Sequence, residues 1–197
     1  MVSYDYRLPV DLLRGPSRLV KGWRLSGITR FSTGQPVTLV ETDDSSLLGT
    51  SSAGAIGLPV DTPNYIPGSL NFTDPRSNKP YFNTSLFTLE GCFTTTCPAD
   101  HTQQLGILGN SRRRFFSGPG LNNWDIALLK DTAVTERVNA EFRVELFNAF
   151  NHAQFGQPDG NVDDPLTLNK DGQLTGFGIV STANPPRIMQ LSLKLLF

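Results

Sequence analysis

Arg187-Ile-Met-Gln-Leu-Ser-Leu-Lys-Leu-Leu-Phe197 alternates apolar and mostly polar side chains and finishes on an aromatic. Successive side chains of a strand point to opposite faces, so Met189, Leu191, Leu193, Leu195 and Phe197 share one face and Gln190, Ser192 and Lys194 the other. Such a strand needs an apolar medium on one side. That medium is either a protein core or a lipid bilayer, and the choice separates a soluble β-sandwich from a membrane β-barrel.

Four further segments repeat the pattern. Val2, Tyr4, Tyr6 and Leu8 alternate with Ser3, Asp5 and Arg7. In the second, Trp23, Leu25, Gly27, Thr29 and Phe31 oppose Arg24, Ser26, Ile28, Arg30 and Ser32. In the third, Trp124, Ile126 and Leu128 oppose Asp125 and Ala127. The clearest case sets Val138, Ala140, Phe142, Val144, Leu146 and Phe150 against Arg137, Asn139, Glu141, Arg143 and Glu145. These patterns predict strands over about 1–8, 22–38, 123–131, 136–150 and 187–197. Most exceed the usual globular strand of about 5–6 residues and approach the length a tilted strand needs to cross a bilayer.

The connections alternate in length. Pro9 to Gly22 and Thr132 to Glu136 are short, whereas 39–122 and 151–186 are long loops. Membrane barrels alternate short periplasmic turns with long extracellular loops. With the C-terminus in the periplasm, both long loops fall outside and both short turns inside. Trp23, Trp124, Phe147, Phe150 and Phe197 fall at or near strand ends, where interfacial aromatic girdles sit; large aromatics also cap sandwich cores, so both media stay open on pattern alone.

Composition narrows the classes without choosing. The 197 residues carry 17 Lys+Arg against 18 Asp+Glu, so nothing in the charge balance asks for nucleic acid. No run of about twenty apolar residues occurs, which excludes a membrane-spanning helix but not a barrel strand. Met1-Val-Ser-Tyr-Asp-Tyr6 has no export-signal pattern and reads as the interior of a strand, so the chain is expected to be a fragment of a longer one.

At this point the residues resemble a known family. Gly22-Trp-Arg-Leu-Ser-Gly-Ile-Thr-Arg-Phe-Ser-Thr-Gly-Gln-Pro-Val-Thr38 resembles a strand and "STGQP" loop start of TonB-dependent outer-membrane receptors of the Oar-like type, which carry a carboxypeptidase-regulatory-like domain. Leu108-Gly-Asn110, Gly118-Pro-Gly120 and Asn123-Trp-Asp125 resemble the run into its third-from-last strand. Glu141-Phe-Arg-Val-Glu-Leu-Phe-Asn-Ala-Phe-Asn-His152 resembles a later strand end, and Pro185-Pro-Arg187 with the alternating terminus its last strand.

The resemblance implies an all-β fold: a curved antiparallel up-and-down sheet of about five strands, part of a transmembrane barrel of about 22 strands with a plugged lumen and long extracellular loops. On that reading, residues 1–197 are a C-terminal fragment of the barrel domain of a receptor that binds and imports an extracellular ligand, in the bacterial cell outer membrane. The fragment lacks the plug and is not expected to transport alone. Its implied partners are outer-membrane lipid, the remaining strands and plug of the full-length receptor, and the barrel-assembly machinery. The TonB complex would be met only through missing N-terminal parts. Gln190, Ser192, Leu195 and Phe197 resemble the C-terminal assembly signal, with Ser192 where Gly is common. Arg24, Arg30, Glu141, Arg143, Glu145 and Lys194 are expected to face the lumen.

Other candidate chemistry is sparse. Cys92 and Cys97 in the larger loop are a candidate disulfide in an exported protein; two unrelated thiols are the alternative. A zinc pair is disfavoured, since His101 alone is near. Asp159-Gly-Asn-Val-Asp163 begins like a calcium loop, but Asp164 stands where Gly is needed and Lys170 where Glu is needed, leaving a turn-rich loop or a looser site from Asp159, Asn161, Asp163 and Asp171. Arg112-Arg-Arg-Phe-Phe116 suits a solvated loop, contact with anionic lipopolysaccharide or a lumen-lining role better than nucleic acid. Asn71-Phe-Thr73 and Asn83-Thr-Ser85 are glycosylation triplets that also arise by chance. Glu141 and Glu145 are spaced like paired glycosidase carboxylates, but Arg143 between them favours two ionised groups where that chemistry needs one protonated. No phosphate loop, nucleophile elbow or H-E-x-x-H helix occurs, and His152 reads as structural. We therefore expect no enzyme, no catalytic residues, no metal site and no cofactor. The alternative to the receptor is a secreted soluble β-sandwich binding carbohydrate or protein through its long loops.

Overall fold

The computed structural model describes residues 1–12, 14–41, 61–89 and 109–197. The chain divides into two compact units, one of 1–32, 120–154 and 184–197 and one of 33–119 and 155–183.

The first unit is an open antiparallel sheet of five strands whose spatial order is their chain order: β1 (Val2–Arg7), β2 (Trp23–Ser32), β3 (Leu121–Ala133), β4 (Asn139–Phe147) and β5 (Ile188–Leu196). The all-β, up-and-down reading holds. The pairings run one-for-one without a skipped residue, from Tyr6 opposite Leu25, through Leu25 opposite Leu128 and Leu128 opposite Val144, to Val144 opposite Leu191. An unbroken register preserves the period-two pattern, so a face defined on one strand stays the same face on the next.

Strand limits differ from those the alternation suggested. β2 stops at Ser32, and Pro36–Val37 pairs instead with Phe116–Ser117 in the second unit. Proline has no N–H to extend a ladder, and at Gly34 an added Cβ would lie 1.6 Å from the Gly118 carbonyl oxygen, an approach only glycine permits. β3 is longer than expected at both ends. β4 is shorter, because the Thr135 hydroxyl takes the Arg137 and Val138 N–H groups in a turn before it, and Asn148 breaks the strand after Phe147 with φ 51°. Phe150 therefore lies beyond the strand that was drawn to include it. The β1–β2 connection holds a 3-10 turn at Pro9–Leu12 and one helical turn at Ser17–Val20. It re-enters the sheet at Gly22, where φ is +82° and a Cβ would lie 2.3 Å from the Asp131 oxygen.

The second unit contains most of the described parts of the two long connections. It has a core of its own, built from Val37, Leu39, Phe82, Phe87, Phe116 and Phe177. Phe82 is the centre, 2 % exposed, with ring centroids 4.6 Å from Phe116 and 5.4 Å from Phe177. Short ribbons frame it: Asn64–Tyr65 with Phe87–Thr88, and Thr167–Leu168 with Leu174–Thr175. A parallel bridge joins Val40 to Asn161 across the two connections. Among the described residues no helix is long and apolar enough to cross a membrane.

Candidate functional site

The register sorts the sheet into two chemically distinct faces. Tyr6, Leu25, Leu128, Val144 and Leu191 form one row across all the strands, and Tyr4, Gly27, Ile126, Leu146 and Met189 the next. A third row holds Trp23, Lys130, Phe142 and Leu193. Leu191 and Leu193 are 62 % and 66 % exposed, so none of the described residues covers this end of the apolar face. Gly27 has a steric reason: the Tyr4 ring lies across it, and a Cβ there would fall 2.7 Å from Tyr4 Cζ and 2.5 Å from the Asp125 oxygen. Placing an aromatic over a cross-strand glycine restores the packing that the missing side chain forgoes.

The opposite face is polar. Asp5, Ser26, Ala127, Glu145 and Gln190 form one row, and Arg7, Arg24, Leu129, Arg143 and Ser192 another. Asp131, Glu141 and Lys194 follow. All of Arg24, Arg30, Glu141, Arg143, Glu145 and Lys194 therefore lie on this one face. Arg143 reaches Glu145 at 3.2 Å and Glu141 at 3.7 Å, and Arg24 reaches Asp131 at 3.9 Å. Both carboxylates of the Glu141–Glu145 pair are thus taken by one guanidinium. Partly exposed pairs of this kind are worth at most about 1 kcal/mol each; they set the character of the surface more than its stability.

Aromatics mark both ends of the apolar face. At the short-turn end Trp23 donates its indole N–H to the Leu19 carbonyl at 2.7 Å, and the Lys130 ammonium stands 5.6 Å from the Trp23 ring. Lys130 is the cation in an otherwise uncharged row, only 9 % exposed. Its ammonium donates to the Lys21 and Asp131 carbonyls and the Thr132 hydroxyl at 2.6, 3.1 and 2.8 Å, at the strand end rather than mid-face. At the other end Trp124 packs edge-on against Phe31 and Phe150, with centroids 5.6 and 5.5 Å away. Phe147 does not belong with these. Its partner is Ile188, and both fall on the polar side.

Asn148-Ala-Phe-Asn-His152 forms the corner after β4. Asn148 and Asn151 adopt positive φ of 51° and 54°, which asparagine tolerates better than most residues. The Asn148 amide donates to the His152 carbonyl and accepts the His152 N–H, while its own backbone N–H goes to the Asp125 carboxylate. Asn151 accepts the Arg187 N–H at the start of β5. Sequence reading marked His152 as structural, and its backbone is what the corner uses.

The remaining candidates fall elsewhere. Cys92, Cys97 and His101 lie outside the described residues. Phe116 is core and half-buried Phe115 meets Tyr65 edge-on with ring centroids 4.7 Å apart, whereas Arg112, Arg113 and Arg114 are exposed. Asn83 caps a 3-10 turn by accepting from the Ser85 N–H and hydroxyl. Asp159 accepts the Asn161 N–H, and Asn161 reaches Asp164, while Asp171 sits in the separate turn organised by Asn169. Among the described residues no three acidic, His or Cys side chains are grouped so as to hold a metal. Burial pushes the Asp159 carboxyl above the usual range; the Asn161 N–H opposes this, and the Asp164 side chain adds to it by hydrogen bond and by charge.

An antiparallel up-and-down sheet with one apolar and one polar face, girdled by aromatics and bearing long connections at one end, is the construction of a membrane β-barrel wall. The chain matches the family model described as outer membrane beta barrel domain over residues 1–190, and it belongs to that family. Its location is the outer membrane. Comparison with curated proteins and with solved structures gives no significant match.

Proposed function

We propose that this chain forms part of the barrel wall of a TonB-dependent, Oar-like receptor that binds and imports an extracellular ligand without enzymatic chemistry. The observation that carries the barrel-wall assignment is the unbroken register, which keeps one apolar and one charged face across every strand. Phe142, Val144, Leu146, Leu191, Leu193 and Leu195 then face lipid, and Arg24, Arg30, Glu141, Arg143, Glu145 and Lys194 the lumen. The receptor type rests on the ordered likeness of Gly22–Thr38, Glu141–His152 and the terminal strand to that class. β1 and β5 are both open edges of the sheet. Unpaired backbone groups cost several kcal/mol each in hydrocarbon, so these edges call for further strands, and a plug within the closed barrel, before transport. Gln190, Ser192, Leu195 and Phe197 on the β5 edge present the barrel-assembly machinery with a strand it can extend.

The import reading is tested by photo-crosslinking the full-length receptor to TonB in energised cells. A TonB adduct that requires the proton-motive force supports it. Absence of any adduct, with the receptor correctly inserted, overturns import while leaving the outer-membrane barrel intact.

A further inference from the structure

The second unit holds a half-open cavity of about 390 Å³ between segments distant in sequence. One wall is Pro75–Lys79 and the other runs through Gln173, Leu174 and Ile179–Ala183, with Phe155 at its base. The walls are clasped rather than merely adjacent. Asn78, at φ 52°, accepts the Leu174 N–H at 2.7 Å and donates to the Gly172 carbonyl at 3.4 Å. Phe155 is bridged to Ala183, and the Gly156 N–H goes to the Thr182 carbonyl at 2.8 Å.

Its chemistry is lopsided. Arg76 and Lys79 line it, and among the described residues no Asp or Glu does. The Arg76 guanidinium stands 5.7 Å from the Phe155 ring, held over an aromatic surface. Its carboxylate neighbour Asp74 lies outside the lining at 3.9 Å, in an exposed pair worth at most about 1 kcal/mol, and Asp74 also accepts the Arg76 backbone N–H. Lys79 makes no ion pair among the described residues. Apolar surface from Phe155, Ile179 and Val180 completes the lining. Concave sites of about 300–1,000 Å³ with an apolar floor and a few convergent polar groups are the usual form of a small-molecule site.

We propose that this cavity binds a small organic carboxylate: a flat apolar body against Phe155 and Ile179, with its carboxylate between Arg76 and Lys79. A guanidinium fork matches a carboxylate in two parallel hydrogen bonds, and the ammonium adds a second positive charge. The inference deepens the proposed ligand-binding role by naming a ligand class and a place, but the site is built within the second unit and needs neither TonB nor a closed barrel to bind.

The test is ligand-observed NMR on the full chain in detergent micelles, with phenylacetate, its uncharged amide and inorganic phosphate as probes. Phenylacetate is expected to bind saturably, more weakly at high salt, and the amide at least about tenfold more weakly, as the loss of a charged pairing requires. R76Q with K79Q should remove the preference for the anion, R76K should retain part of it, and F155L should weaken phenylacetate while leaving the melting profile unchanged. Equal binding of acid and amide, or unchanged phenylacetate binding in the double variant, overturns the proposal. So does phosphate binding as tightly as phenylacetate, since the apolar floor would then contribute nothing. Failure of TonB crosslinking leaves these outcomes untouched.

Discussion

Asn148 holds the corner between β4 and β5 with one side chain. It is 7 % exposed and satisfies both the N–H and the carbonyl of His152. Asn148→Ala leaves the His152 N–H without this acceptor and the His152 carbonyl with Gln154 as its remaining donor, and places alanine at positive φ. A net hydrogen bond is worth about 0.5–1.5 kcal/mol, so chemical denaturation in detergent should show a loss of about 1–2 kcal/mol once the strained φ is included, and Asn148→Gly should lose less by keeping the backbone freedom. A neutral Asn148→Ala would contradict the role. Asp159 gives a pH-dependent counterpart. Its carboxyl is held above the ordinary range chiefly by burial, with Asp164 adding to the rise. Below the ordinary aspartate value both folded and unfolded chains are protonated and the site costs nothing. As pH rises through that value towards the raised one, the folded chain must ionise a group it prefers neutral, so stability falls. Thermal melts across the acid range should show this fall in wild type relative to Asp159→Asn, and Asp164→Asn should shift it to lower pH; a rise with pH relative to Asp159→Asn would refute the sign.

The strands are the scale at which the sequence is most legible. Face assignments for Trp23–Ser32, Trp124–Leu128 and Val138–Leu146 follow from period two alone, because no bulge interrupts the ladder. Limits were less legible: Gln35-Pro36-Val37 continues the alternation, yet Pro36 and the Gly34–Gly118 approach take it to another partner. Phe147 closes β4, as its position suggests, but its side of the sheet is not legible, because a strand end shows no contrast between neighbours. Val144 stands in the central row, so Val144→Arg should cost about 2–4 kcal/mol if that row lies at the bilayer midplane. Ser26→Lys on the opposite face, near Asp5 and Glu145, should be tolerated. Equal tolerance of both, read as folded barrel on unheated gels, would contradict the assignment of faces. Gly27→Val should also lower folded yield, by driving a branched side chain into Tyr4 and the Asp125 backbone.

For the whole molecule, the two units were unequally visible beforehand. Phe82, Phe87, Phe116 and Phe177 have no common period and sit among prolines and glycines; only long-range contacts make them a core. The Arg76–Lys79 cavity was hidden for the same reason, since Asn78 joins segments almost a hundred residues apart. Removal of Phe197 from the intact barrel protein is expected to impair assembly; unchanged outer-membrane levels of the heat-modifiable form would rule out that role. The chain has two tryptophans, and the sheet puts them near opposite ends of one face. Trp23 and Thr29, the cross-strand partner of Trp124, are separated by about 20 Å along β2 at the usual rise per residue. At the usual barrel tilt of about 35–45° this is roughly 15 Å along the bilayer normal, which fits inside an apolar band about 25 Å tall. The pair is therefore a built-in thickness gauge: as host lipids are lengthened, both indoles should be drawn below the headgroups and their emission should shift to the blue together.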